Sequence, residues 1–293
     1  MEVLDLSVST GPSLTLPLEE FQLMPVGDVQ LGGGGVDINR FRKQMSWAIE
    51  QNKRQDAPPI RFIGMGDYID IASPSNRAAI RGARLYDSVH AALDQAATKY
   101  EDEFLHEVAG TEGMWLGLHH GHHYFEHEDG TTSDTRIANR LGCAFLGTAA
   151  FTRLLFNRNQ PRAACSCVIW STHGAGGGIM PQSPLNKLYH IMHSFDADIY
   201  LIGHQTKKPV VKMPRLYVND RGQIRTKTVV LAGTGGFSLG YEQGSRHYAG
   251  HRPEGSYVEK AMMSPVALGS ILLKIRPVRD DIHGNRIDIS VEV

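Results

Sequence analysis

The chain has 293 residues, of which 41% are hydrophobic and 21% are charged, and a chain of this length and composition can bury a sizeable core. Its 30 basic and 31 acidic side chains give a formal net charge of −1, which excludes the strongly basic composition of a nucleic-acid coat protein. Three cysteines are too few for a disulfide framework, so we expect a reducing, cytoplasmic compartment. There is no signal-peptide pattern and no apolar run of about 18 residues, so we expect no association with a membrane.

Apolar strand-like runs alternate with helical patterns along most of the chain, which is typical of stacked β-α units. The predicted strands are Phe21 to Val26, Ile60 to Met65, Met114 to Leu118, Cys165 to Trp170 and Asp198 to Ile202. The predicted helices are Ile38 to Asn52, Leu85 to Val108, a helix capped by Ser133 or Asp134 that ends at Leu141, and Pro184 to Phe195. Pro25 predicts that the first strand ends there or lies at a sheet edge.

The last third of the chain is predicted to be rich in strands. Strand-like runs without intervening helices are Val210 to Met213, Thr226 to Ala232, Ser270 to Val278 and Ile287 to Val291. The glycine-rich segment from Gly233 to Gly255 is predicted to form a long surface loop. We therefore expect an α/β fold in one domain, residues 1–293, with a core at about 21–210 and a β-rich part at 210–293.

Five predicted strands each end in a small residue or turn followed by Asp or His. The residues concerned are Asp28, Asp67 with Asp70, His122 with His123, His173 and His204. Ligands of open α/β sheets bind beyond the carboxyl ends of the strands, so we expect these side chains to converge. A single such residue is usually part of a turn, but the ordered series of five predicts a metal site. Mixed carboxylate and imidazole ligands suit Mn, Fe, Zn or Ni better than Ca or Mg.

The same residues resemble the ordered motifs of the calcineurin-like metallophosphoesterase superfamily, which are D-x-H, G-D-x-x-D, G-N-H-[DE], a later H and G-H-x-H. Here they read Asp28-Val29-Gln30, Gly66-Asp67-Tyr68-Ile69-Asp70, Gly121-His122-His123-Tyr124, His173 and Gly203-His204-Gln205-Thr206. The resemblance implies a β-sandwich of two mixed sheets flanked by helices, with a βαβαβ core, and an enzyme that hydrolyses phosphate esters. The stretch from Gly121 to Gly142 also resembles phosphoesterases of bacteriophage and prophage genomes.

The resemblance implies two metal sites of unequal quality. The first would consist of Asp67, His122, His173 and His204, with His122 in place of the family's Asn. The second would consist of Asp28, Gln30, Asp67 and Thr206. The family has histidines at positions 30 and 206, and the amide and hydroxyl groups found here are weaker ligands for a transition metal. We expect one or two divalent ions per chain, with Mn favoured over Fe, Zn and Ni.

His123 matches the family's general acid, which protonates the leaving alcohol. Tyr124 stands where an acidic residue commonly follows, so Asp70 is the predicted partner that orients His123. A turn cap is the alternative role for Asp70. His119 and His120 would replace His122 and His123 if the strand ended earlier, but Gly121 favours the second pair.

Arg77, Arg81 and Arg84 fall on one face of a short predicted helix after Asp70. One interpretation of this spacing is a solvated helix face. The other is a stripe that contacts the phosphate of a substrate, with Arg77 and Arg81 as binding residues, because guanidinium groups pair well with phosphate.

The sequence therefore predicts a metal-dependent phosphoesterase that acts on a phosphodiester, either a nucleic acid or a nucleotide. One alternative is a phosphomonoesterase that acts on a small molecule or a phosphoprotein. Another is a catalytically weakened fold that serves as a binding module. The sequence carries no signal for the oligomeric state.

Overall fold

The structure is a computed structural model that describes residues 9–83, 85–157, 165–219, 222–241, 257–278 and 285–293. Its strands are β1 (Ser9–Leu16), β2 (Phe21–Val26), β3 (Ile60–Gly64), β4 (Trp115–His119), β5 (Ala144–Gly147), β6 (Ala149–Phe156), β7 (Cys165–Thr172), β8 (Ile199–Ile202), β9 (Val210–Val218), β10 (Ile224–Gly233), β11 (Gly235–Gly236), β12 (Gly269–Ser270), β13 (Leu272–Val278) and β14 (Arg286–Glu292). Its helices are α1 (Ile38–Lys53), α2 (Pro74–Gly82), α3 (Asp87–Glu107), α4 (Ser133–Arg140), α5 (Ser183–Met192) and α6 (Tyr257–Lys260).

Two six-stranded mixed sheets form the centre of the fold. The first has the order β14-β13-β2-β3-β4-β5, with β2 to β5 parallel to one another and β13 antiparallel to both of its neighbours. The second has the order β1-β6-β7-β8-β10-β9, with β7, β8 and β10 parallel. The facing surfaces share one apolar core, which includes Leu23 and Ile63 of the first sheet and Leu154 and Ile169 of the second.

Helices cover the outer faces of both sheets. Phe41 of α1, Phe104 of α3 and Ile137 of α4 pack in one apolar cluster with Phe62 of the first sheet. Leu188 of α5 packs against the outer face of the second sheet. The predicted fold class, two mixed sheets flanked by helices, is therefore confirmed. None of the described helices is long and apolar enough to cross a membrane.

The strand that contains Pro25 ends one residue later, at Val26, which agrees with the predicted strand end. It lies inside the first sheet, so the alternative edge position is wrong. Proline is tolerated there because β13 pairs with only the first half of β2, from Phe21 to Leu23. Pro25 keeps its partner Ile63 on β3 but has none on the β13 side. Although proline has no amide proton to donate, no hydrogen bond between β2 and β13 is lost at this position.

The structure also differs from the prediction in the cap of one helix and in strands that were not predicted. Strands β1, β5 and β6 were not predicted, although β6 alternates buried and less buried residues along its length. Helix α4 is capped by Thr132, whose side chain accepts from the Thr135 backbone N–H, so the predicted caps Ser133 and Asp134 are wrong. Gly235–Gly236 of the predicted Gly233 to Gly255 loop form the buried strand β11, so the surface-loop prediction is wrong there. Most of the range, residues 242–255, lies outside the described residues.

Candidate metal centre

The strands that carry the predicted ligands come from both sheets and end at the same place. β2, β3 and β4 of the first sheet precede Asp28, Asp67 and His122, while β7 and β8 of the second precede His173 and His204. Two hydrogen bonds join the sheets here. The His204 backbone N–H donates to Asp28 Oδ2 at 3.0 Å, and His173 Nδ1 donates to the carbonyl of Met65, in the first-sheet loop that carries Asp67, at 2.6 Å. The site therefore lies where two sheets meet, and not along the edge of one open sheet.

The side-chain ligand atoms form two overlapping groups. One comprises His122, His173 and His204, and the other comprises Asp28, Asp67 and His173. Within each group the ligand atoms lie within 4.8 Å of one another. Bonds from a transition metal to nitrogen or oxygen are about 2.0–2.2 Å long. Two ligand atoms of one ion are therefore separated by up to about twice that length, which is close to the separation found within each group. Either group could hold a metal ion.

The backbone at the predicted ligands is strained. Five of them have positive φ angles: Asp28 50°, Gln30 52°, Asp67 53°, His204 62° and Thr206 48°. Such angles cost non-glycine residues on the order of 1–3 kcal/mol each and occur where surrounding structure fixes the chain, often at functional sites. Met262 is the one other non-glycine residue with a positive φ among the described residues.

Asp67 is fixed by the loop that carries the histidines. Its Oδ1 accepts hydrogen bonds from the backbone N–H groups of His122 and His123, the second at 3.0 Å. A side chain at Gly121 would collide with the backbone nitrogen and the carboxylate of Asp67, so this close approach requires glycine. The loop therefore orients the carboxylate and presents His122 and His123 at the same time.

Burial and neighbouring charges shift the pKa values of the three buried ligands Asp28, Asp67 and His173. Burial raises the pKa of Asp28 to about 7, even though the charge of His173 acts in the opposite direction. Burial also opposes ionisation of Asp67 and of His173, but their mutual attraction outweighs it. The pKa of Asp67 is consequently well below its usual range, and the pKa of His173 is raised to about 9. His173, and to a smaller extent His123, supply the positive charge close to these two buried carboxyl groups.

The other two imidazoles are kept neutral. Burial, followed by the positive charge of His173, lowers the pKa of His204 to about 4 and also lowers the pKa of His122. Their Nδ1 atoms are 3.2 Å apart. Neutral imidazole is the form that binds metal, so both side chains are ready to act as ligands.

Two buried atoms of the centre have no hydrogen-bond partner, and both fit a cation. They are Asp28 Oδ1 and His173 Nε2, and the second lies 3.4 Å from Asp67 Oδ2. Because His173 Nδ1 is used by the Met65 carbonyl, Nε2 is the nitrogen left for a ligand. Buried polar atoms without partners are costly, and a divalent ion among one imidazole and two carboxylates would remove that cost.

Gln30 and Thr206 lie on the loops that carry Asp28 and His204. The Gln30 backbone N–H donates to the Asp67 carbonyl at 2.9 Å. The Cγ2 atom of Thr206 is 3.0 Å from the position that a Cβ would take on Gly236, which in turn contacts Asp28. Both residues are therefore next to the carboxylates, and their service as metal ligands stays a prediction.

His123 and Asp70 form a hydrogen-bonded pair beside the centre. His123 Nδ1 donates to Asp70 Oδ1 at 2.7 Å. This bond is the main cause that raises the pKa of His123, although burial lowers it. The contact agrees with the predicted role of Asp70 in orienting His123, and it leaves Nε2 of His123 as the nitrogen that can exchange a proton with a substrate.

The remaining histidines of the run have structural contacts. His119 is fully buried, with Nδ1 bonded to the Gly147 carbonyl at 3.0 Å and Nε2 bonded to Ser171 Oγ at 2.7 Å. Both nitrogens are thus occupied by the packing of the two sheets. The ring of His120 lies 3.9 Å from that of Tyr124. These contacts favour His122 and His123 over His119 and His120 as the residues of the centre.

Arg77 holds the loop that carries His122 and His123, which we call the histidine loop. One guanidinium nitrogen donates to the carbonyls of Ala72, His122 and Tyr124 at 2.7, 2.6 and 3.0 Å, and the guanidinium lies 3.7 Å from the Tyr124 ring centroid. Its side chain is only 12% exposed, so the interpretation as a solvated face is wrong for Arg77. The side chain of Arg81 and the whole of Arg84 lie outside the described residues.

Asp134 is a residue of the site that sequence reasoning assigned only as a helix cap. It is 1% exposed, and its Oδ2 accepts from the Gly121 backbone N–H at 2.8 Å. Burial raises its pKa to about 7. Asp134 thereby holds the glycine that packs on Asp67. Nothing in the sequence marks this role, because the bond goes to a backbone amide 13 residues away.

No protein-family model matches the chain, and no curated protein sequence matches it significantly. Similar solved structures include a single mutant of Vps29 from Entamoeba histolytica (9% identity, 93% of this chain and 100% of that chain, TM-score 0.37). Vps29 from Chaetomium thermophilum (9%, 93% and 95%, 0.34) and Vacuolar Protein Sorting 29 from Cryptosporidium parvum (10%, 94% and 98%, 0.33) are also similar. At these values the likeness carries no inference about activity.

Proposed function

We propose that this chain is a metal-dependent phosphodiesterase. The tighter metal site would consist of Asp67, His122, His173 and His204, and Asp28 would belong to a weaker site with Gln30 and Thr206. The observation that carries the proposal is a pair of buried ligand atoms: Asp28 Oδ1, which has no hydrogen-bond partner, and His173 Nε2, whose neighbour is Asp67 Oδ2 at 3.4 Å. When bound, a Mn, Fe, Zn or Ni ion would stabilise negative charge on the phosphoryl group and lower the pKa of water.

The general acid of the proposed reaction is His123. Asp70 holds its Nδ1, so its Nε2 can donate a proton to the alcohol that leaves the phosphorus. The Asp70 carboxylate raises the pKa of His123 and thus keeps this proton in place closer to neutral pH. Asp67 adds to the positioning, because its carboxylate holds the backbone N–H of His123.

The hydrogen bonds made by the Arg77 guanidinium favour a phosphodiester over a phosphomonoester as the substrate. A monoester is a dianion, and proteins commonly bind its oxygens with the two-pronged fork of an arginine. The guanidinium of Arg77 is instead bonded to three backbone carbonyls beneath the histidine loop. A diester carries a single charge and needs less cationic support. Arg77 is therefore assigned to the support of the histidine loop and not to substrate binding. The predicted contact of Arg81 with substrate remains part of this proposal, and so does membership of a phage-type group.

The test compares three substrates with the chain loaded with Mn²⁺. We expect hydrolysis of bis-p-nitrophenyl phosphate and of a thymidine dinucleotide, and slower hydrolysis of p-nitrophenyl phosphate. His123→Ala should lower the rate on the dinucleotide by about 10²–10⁴-fold with unchanged metal content. His193→Ala, at an exposed position after α5, is the matched control.

Each other outcome has a definite meaning. Preference for p-nitrophenyl phosphate would make the chain a phosphomonoesterase. Full metal occupancy without turnover of any of the three substrates would make it a binding module. Unchanged dinucleotide cleavage by His123→Ala would remove His123 as the general acid.

A further inference from the structure

A groove of about 510 Å³ lies between α1 and the β12 region. Its walls include Arg40, Lys43, Gln44 and Trp47 of α1 and Lys208 from the loop after His204. Lys43 and Trp47 are one helical turn apart and face the groove together. We refer to this feature as the α1 groove.

The α1 groove begins one short strand away from the metal centre. Gly269 lines the groove and pairs with Gly236 on β11. A Cβ on Gly236 would lie 2.8 Å from Cβ of Asp28 and 3.0 Å from Cγ2 of Thr206. The backbone of β11 therefore has the predicted second metal site on one side and the wall of the groove on the other.

Cationic side chains dominate the α1 groove. Asp37 is the only acidic side chain among the described lining residues, and it pairs with Arg40 at 3.1 Å. Lys43 forms no ion pair with any described residue, and the Lys208 ammonium group donates to the Leu268 carbonyl at 2.9 Å. The groove thus has two lysines without a carboxylate partner in the described part of the chain.

Trp47 adds an exposed aromatic surface to these cations. It is 42% exposed, whereas Trp115 and Trp170 are each 5% exposed. An indole left in water on a helix surface gains from stacking on another aromatic ring, and aromatic side chains next to a row of cations are typical of surfaces that bind single-stranded nucleic acid. A lipid or an apolar peptide would need a wider apolar surface than one indole among lysines provides.

We propose that the α1 groove binds a single strand of nucleic acid, with Lys43 and Lys208 at the phosphates and Trp47 stacked on a base. This inference rests on the proposed phosphodiesterase function, for which it names the substrate class. A strand in the groove would lie one β-strand away from the metal centre, so that a diester linkage farther along it could reach the ligands.

Binding is measured by the fluorescence anisotropy of a labelled ten-nucleotide oligothymidylate, with EDTA present so that no metal holds the strand. We expect saturable binding that also quenches tryptophan fluorescence, because Trp47 is the exposed tryptophan. Trp47→Ala should weaken binding at least about fivefold. Lys43→Gln should weaken it and reduce the slope of log K against log salt by about 0.7, the value for one lost phosphate contact on a single strand. Lys53→Gln, on the same helix but paired with Glu50 at 2.8 Å, is the control and should bind like the unmodified chain.

Equal affinity of Lys43→Gln and Lys53→Gln, together with unchanged binding by Trp47→Ala, would overturn the proposal. So would competition by polyglutamate as strong as that by unlabelled oligothymidylate, since the groove would then bind acidic peptides. Hydrolysis of bis-p-nitrophenyl phosphate separates this inference from the proposed function. If the small diester is cleaved but no strand binds, the groove proposal fails alone. If the strand binds through Lys43 and Trp47 but no diester is cleaved, the proposed function fails alone.

Discussion

Asp70→Asn tests how the proposed general acid is maintained. The substitution removes the charge beside His123 and keeps an oxygen that can accept from Nδ1. A hydrogen bond to a charged group contributes about 1.5–3 kcal/mol. The two side chains are 26% and 29% exposed, so the lower figure applies, and about 1.5 kcal/mol corresponds to roughly tenfold. We expect kcat for a thymidine dinucleotide near neutral pH to fall about tenfold, with little change in KM.

Asp70→Asn should also shift the pH dependence of kcat in a defined direction. Asp70 raises the pKa of His123, so the protonated acid is present below that raised pKa and is lost as the pH rises through it. Asp70→Asn lowers the pKa of His123, and the alkaline limb of the kcat profile should therefore move to lower pH. An alkaline limb that coincides with that of the unmodified chain would mean that Asp70 does not set the pKa of the general acid.

The leaving group provides a second check on the same variant. p-Nitrophenolate leaves with little need for a proton, so hydrolysis of bis-p-nitrophenyl phosphate should be almost unaffected by Asp70→Asn. A nucleoside leaving group needs the proton and should show the full loss. Equal losses on both substrates would mean that Asp70 supports the structure of the loop and not the proton transfer.

Three further predictions concern the metal centre and its support. The carboxyl group of Asp28 has a pKa of about 7 and the imidazole of His173 one of about 9, and both must be deprotonated to bind metal. Mn²⁺ binding should therefore release protons and weaken as the pH falls below about 9, and more steeply below about 7, and calorimetric heats that do not depend on the ionisation enthalpy of the buffer would contradict this. Gly121→Ala should reduce metal content and the Tm, because the new methyl group collides with Asp67, and a fully metal-loaded variant would contradict the packing argument. Arg77→Gln should lower the free energy of unfolding in urea by about 2 kcal/mol, since it removes charged hydrogen bonds to three carbonyls, and unchanged stability would exclude that supporting role.

The candidate ligands could be predicted from the sequence because each one follows an apolar strand within a few residues. Asp28 and Asp67 come two and three residues after β2 and β3, and His173 directly follows β7. This rule concerns local sequence alone. It could not show that β7 and β8 belong to a second sheet, because the partners of a strand are set by packing over long separations in the chain.

The supports of the site escaped prediction for a related reason. Arg77 and Asp134 act on backbone groups, the carbonyl of His122 and the amide of Gly121, and backbone groups leave no mark in the sequence. The spacing of Arg77 with Arg81 suggested a surface stripe, but the Arg77 side chain is buried and donates hydrogen bonds to carbonyls of the histidine loop. Strand β6 was missed although its buried residues alternate, since it follows β5 after a single residue.

The metal content of the purified chain shows whether the candidate centre holds an ion. Elemental analysis after loading with Mn²⁺ and removal of free ion should find at least one ion per chain, held by Asp67, His122, His173 and His204. His204→Ala should lose most of that ion, whereas His193→Ala should keep it. A chain that retains no ion, or a His204→Ala variant that retains as much as the unmodified chain, would mean that these four residues do not form a metal site.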